Sequence, residues 1–146
     1  MKHLLLLIGG IAITILYIVF ASQIYELMYY EQAFSDWMYN QNMYFVVAIV
    51  TTLVAWILPV IYYYVINSAR FCRWYHWLIM LIIATILSPT VSVAYSNGAM
   101  DDGIDYSVQL QNFSIVNLAV TIVLFIIASF SIRWWSSQCK HTPIPQ

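Results

Sequence analysis

Apolar residues in this chain come in long unbroken runs, without the period-two or period-three-to-four patterning of half-buried elements. The runs occupy residues 4–20, 44–66, 77–94 and 113–132, and none contains Asp, Glu, Lys, Arg or His. Each has about the length, roughly 17–25 residues, that carries a helix across a hydrocarbon core about 30 Å thick. Barrel strands alternate apolar with polar positions, so continuous apolarity argues against them. Helices are the remaining structure that satisfies every backbone group in lipid. The pattern therefore predicts an all-α membrane protein: four transmembrane helices in a bundle, at 4–22, 44–66, 77–94 and 113–132, joined by short loops in a single integral membrane domain over 1–146.

The first run has a rival reading. A basic start and the ending Val19-Phe20-Ala21 suit a cleaved signal peptide, but the apolar stretch exceeds the usual ~7–15 residues, which favours a retained span. In the first connection, 23–43, Ile24, Leu27, Met28, Phe34 and Met38 share a helical face. The first span is thus expected to run on outward for two turns or to lie down on the bilayer, with Ser35-Asp36 capping a second short helix. The third connection, 95–112, carries the turn dipeptides Asn97-Gly98 and Asp102-Gly103. There Ile104, Tyr106, Val108 and Leu110 alternate with polar residues. With Pro89 ending the third helix, this allows a small external β-hairpin between helices 3 and 4, an irregular loop being the alternative.

Composition supports a lipid environment. The chain is 63% hydrophobic and only 8% charged, against roughly 25% charged in soluble domains. A net charge of −1 offers no basic surface for nucleic acid. The basic residues Lys2, Arg70, Arg73, Arg133 and Lys140 fall at the two ends and in the second connection. The acids Glu26, Glu31, Asp36, Asp101, Asp102 and Asp105 fall in the other two connections. Under the positive-inside rule both termini and loop 67–76 are cytoplasmic, as is the tail 133–146, in the inner membrane if the host is bacterial. Aromatic residues at both boundaries are expected to anchor at headgroup level: Tyr25, Tyr29, Tyr30, Trp37, Tyr39, Tyr44 and Tyr95 outside, and Tyr62, Tyr63, Tyr64, Trp74, Tyr75, Trp77, Trp134 and Trp135 inside. On this plan Cys72 and Cys139 lie in the cytoplasm and are expected to stay reduced.

Charge placement also narrows the chemistry. Proton-coupled transporters use ionisable groups within their spans, and the predicted spans hold none. Small multidrug exporters use a glutamate in the first helix, whereas the first acid here is Glu26, beyond it. His3, His76 and His141 lie outside the spans, where they do not suit haem ligation. The acidic turn around Asp101, Asp102 and Asp105 lacks EF-hand spacing and reads as solvated. No catalytic, cofactor or metal residues are assigned.

Small or amide side chains at Gly10, Ala84, Ser88, Ser92 and Asn117 are expected to pack helix on helix. Asp101, Asp102, Asp105, Tyr106 and Val108 are the candidate partner-binding residues. The expected function is a non-catalytic membrane subunit, scaffold or immunity-type binding protein that pairs with a membrane protein or with itself. The alternative is a homo-oligomeric pore lined by Ser, Thr and Asn117.

Overall fold

The apolar runs fold as helices because only intrahelical hydrogen bonds can satisfy their backbone in lipid. The structure, a computed structural model, describes residues 1–100, 103 and 105–144. The elements are α1 (Lys2–Val19), α2 (Ala21–Met28), α3 (Gln32–Asn40), α4 (Met43–Val60), α5 (Trp74–Ala99) and α6 (Ser107–Ile132). A π-helical turn, Ile61–Ile66, extends α4, and a 3-10 turn, Arg133–Trp135, extends α6. Among the described residues, four helical stretches are long and apolar enough to cross a membrane: Lys2–Val19, Met43–Ile66, Trp74–Ala99 and Ser107–Trp135.

Helices α4, α5 and α6 pack most extensively on one another, and α1 leans on α6 and α4 from the side. Half of the apolar window of α6 (50%) is buried, against 17% for α1, so α6 is the hub and α1 the rim. On α5 the inward residues include Ala84, Ser88, Ser92 and Ser96, spaced four apart. Such small side chains let neighbouring backbones come close. Gly10 does the same for α1: a Cβ there would overlap the Ser131 hydroxyl and lie 2.9 Å from the Ser131 Cβ.

Two of the four prolines sit inside helices. Pro59 and Pro89 are buried within α4 and α5, and α5 continues ten residues past Pro89 to Ala99. The expectation that Pro89 ends the third helix is therefore corrected. Each proline withholds one N–H, and the neighbouring helices hold the chain on course. Asn67, at φ 25°, ends the π-helical turn, and Asn42, at φ 54°, separates α3 from α4. Asn is the side chain other than Gly that best tolerates this region.

The hairpin between helices 3 and 4 is absent among the described residues. Tyr106, Leu110, Phe113 and Asn117, spaced at four, three and four, line the inward face of one helix, with Tyr106 half-buried before its first turn. Helical spacing over eleven residues thus outweighs a short alternation whose inner face would have had no sheet partner. Ile104 lies outside the described residues. In the first connection, α2 follows α1 after a break at Phe20. α3 begins at Gln32, so Ser35 and Asp36 are inside it, and they do not cap it.

The two chain ends share one end of the bundle, where His3 stacks on Trp134 at 4.6 Å. The turn after α4 is there too, through Asn67 and Ser136.

Candidate functional site

Three polar constellations stand out: one in the interior and one at each end. The interior one centres on Asn117 of α6, which is fully buried. Its Oδ1 accepts hydrogen bonds from the Tyr25 hydroxyl (2.7 Å) and the Thr51 hydroxyl (2.9 Å). Its Nδ2 reaches Ser92 Oγ at 3.4 Å. Ser88 donates to Thr51 at 3.2 Å, Thr121 lies 3.1 Å from Ser88, and the Tyr17 and Tyr25 hydroxyls meet at 2.6 Å. Buried polar atoms must be paired, and here α1, α2, α4, α5 and α6 each contribute. Ser96 Oγ and Thr52 Oγ1 are buried without a hydrogen-bond partner among the described residues. Of the packing candidates, Ser92 and Asn117 belong to this network with Ser88. Ala84 is buried beside Phe125, and Gly10 contacts Ser131.

Tyr17, Tyr25, Thr51 and Thr121 join this network, although sequence reading gave them no such role. Tyr17, Ala21 and Tyr25 are spaced four apart on one face, a usable signal obscured by the break at Phe20 and by tyrosine's usual place at headgroups.

The burial of the aromatics corrects the anchor expectation for several residues. Tyr25, Trp37, Tyr44, Tyr62, Tyr63 and Trp77 are buried within the protein. Trp77 Nε1 donates to Ser129 at 3.1 Å, and the Tyr62 hydroxyl donates to the Phe71 carbonyl at 3.0 Å. Tyr30, Tyr39, Tyr64, Trp74, Tyr75, Tyr95 and Trp135 are exposed, as headgroup anchors must be.

At the acidic end, Phe34 and Trp37 of α3 wall in Tyr106, with ring centroids 5.6 and 5.5 Å apart. The Tyr106 hydroxyl donates to the Ala33 carbonyl at 3.4 Å. Gln109 donates to Glu31 at 3.0 Å, tying α6 to the turn before α3. Asp105 caps α6 by accepting the Ser107 N–H at 3.0 Å. Those Ser107 bonds hold its carboxyl below the ordinary carboxylate range. Among the partner-binding candidates, Tyr106 therefore packs within the chain, while Asp105 and Val108 are exposed. Asp101 and Asp102 lie outside the described residues. Leu27 on α2, Tyr39 on α3 and Tyr30 in the turn between them are exposed.

At the basic end the tail folds back across the bundle. Asn67 Oδ1 accepts from Ser136 Oγ (2.9 Å) and the Gln138 N–H (3.0 Å), and its Nδ2 donates to Ser137 at 2.8 Å. The Tyr63 hydroxyl donates to the Thr142 carbonyl at 2.8 Å. The Thr142 hydroxyl donates to the Cys72 carbonyl at 2.5 Å. Arg133 is 2% exposed, stacks between the Phe130 and Trp134 rings, and donates to the Ile144 carbonyl at 3.2 Å. Among the described residues its Nε has no hydrogen-bond partner. Docking the tail brings Cys72 and Cys139, 67 residues apart, to a Cα separation of 4.8 Å, and they form a disulfide. The expectation of two free thiols is corrected, because a folded-back tail is invisible to sequence spacing.

No family model matches the chain, and comparison with curated proteins and with solved structures likewise finds no match.

Proposed function

We propose that this chain is a non-catalytic membrane subunit, scaffold or immunity-type binding protein. Its acidic end and lipid-facing helix faces bind another membrane protein, and its basic end, with both termini, lies in the cytoplasm. One observation carries the choice over a pore. Thr51, Ser88, Ser92, Thr121 and Asn117, polar side chains in the middle of the spans, are turned inward and bonded to one another, so they line no lumen between copies. The outer surface of the spans is mostly apolar, and exposed Leu27, Tyr30, Tyr39 and Val108 lie near carboxylates along the chain at the acidic end. Apolar side chains rimmed by polar ones are a usual recognition surface.

Affinity purification in mild detergent with mass spectrometry is expected to recover a second membrane protein in fixed ratio. Leu27→Asp and Val108→Asp, made separately, are each expected to lower that recovery by about tenfold, or ~1.4 kcal/mol, without changing the amount of chain in the membrane. A closed ring of this chain alone that conducts ions in liposomes would overturn the reading in favour of a pore.

A further inference from the structure

The cysteine pair and the charge pattern make opposite demands. Five basic residues mark the end carrying the termini as cytoplasmic, and the cytoplasm keeps most thiols reduced. Yet at that same end Cys72 and Cys139 are bonded. We propose that Cys72–Cys139 is a reversible oxidation site, a redox clasp that fastens the tail 136–144 over the basic end of the bundle. The proposal rests on the cytoplasmic placement of that end proposed above.

Three observations favour a reversible bond. First, the tail is positioned without it: the bonds from Ser136, Ser137, Gln138, Tyr63 and Thr142 hold the segment on either side of Cys139. The thiols of a reduced chain therefore remain neighbours, ready to pair. Second, access is one-sided. Cys139 is fully buried, whereas Cys72 is half-buried in the loop before α5, so an incoming thiolate meets the Cys72 sulfur first. Third, Arg73 follows Cys72 and Lys140 follows Cys139 in the chain, and cationic surroundings promote the thiolate that exchange requires.

The co-reactant is a low-molecular-weight disulfide of the cell's thiol pool. In the closing direction, one cysteine thiolate attacks that disulfide and releases one small thiol. The second cysteine then displaces the other. Two cysteine thiols are thereby oxidised to one disulfide, and the small disulfide is reduced to two thiols, which take up the two protons. With the clasp closed, Thr142 covers the Tyr63 hydroxyl and Ile144 covers Arg133. With it open, hydrogen bonds alone hold the tail, so it lifts from both far more often and rejoins them.

The test uses the full chain in its native membrane. Cells are quenched in acid, free thiols are blocked, and bonded cysteines are counted by a mass-shifting maleimide after reduction. The bond is expected to be mostly open in untreated cells and to close after a pulse of diamide. In inside-out vesicles, trypsin cleavage after Lys140 is expected to quicken at least about tenfold on reduction. Cys72→Ser is expected to cleave at the fast rate under both conditions. Cleavage that ignores redox state overturns the clasp, as does a pair that never oxidises or one that stays bonded in untreated cells. A membrane-impermeant maleimide applied to intact, reduced cells separates the two readings. Labelling from outside means that the orientation has failed. Labelling only in inside-out vesicles, together with redox-blind cleavage, means that the clasp alone has failed.

Discussion

Asn117 shows how much one polar side chain inside a membrane bundle can organise. A single hydrogen bond between helices in lipid is worth only about 0.6 kcal/mol on average, while a buried polar group left unpaired costs about 1–3 kcal/mol. The Asn117 carboxamide serves Tyr25 and Thr51 at once, with Ser92 at its other end. Removing it strands several groups together, so the larger figure governs. Asn117→Leu is expected to lower stability by ~1–2 kcal/mol, read from unfolding by sodium dodecyl sulfate in mixed micelles. Asn112→Leu, on an exposed position of the same helix, is expected to stay within about 0.5 kcal/mol of the parent. Equal losses for the two variants would show that the network contributes no specific stability.

Among the elements, α1 is the least embedded of the four long helices, and its attachment depends on close approach at Gly10. The facing residue is Ser131 of α6, with the Trp56 ring 3.5 Å from the position a Cβ would take. Trp56 also donates to the Thr14 hydroxyl at 3.1 Å, one turn further along α1. Gly10→Ala must therefore push α1 outward or turn Ser131 away from its bond to the Ile127 carbonyl, and overpacking of this kind costs about 1–3 kcal/mol. Gly9 has nothing within 4 Å of the same added atom. There Gly9→Ala is expected to be neutral or to gain up to about 1 kcal/mol of helix propensity. Thermal melts in detergent should rank Gly9→Ala at or above the parent and Gly10→Ala several degrees below it. The reverse order would mean that α1 does not pack on α6 as described.

For the whole molecule, the charges divide between two ends. Lys2, Arg70, Arg73, Arg133 and Lys140 gather where His3 meets Trp134, while Glu26, Glu31, Asp36 and Asp105 gather around α2, α3 and the start of α6. Fusions of a periplasm-active reporter after residue 144 and within the turn after α4 are expected to be silent. The same reporter inserted between α2 and α3 is expected to be active. Activity at the first two positions would reverse the proposed orientation, and opposite results at those two would break the bundle topology itself.

The count of spanning helices and the segregation of charge could be read directly from the sequence, because transfer of a helix into lipid is a sum over its own residues. Which face of each helix turns inward was legible only in part, through the small residues of α5 and Asn117 of α6. In a membrane the buried and the lipid-facing sides are both apolar, so polarity contrast along the chain does not mark the interior. Tyr25 meets Asn117 across 92 residues and Cys72 meets Cys139 across 67. Tyr62 and Tyr63 turn inward from positions that read as headgroup anchors. Those outcomes depend on helix rotation and on the docking of the tail. They are set by close fit at small residues such as Gly10 and Ser88 and by pairing of buried hydroxyls, and only the assembled tertiary structure decides them.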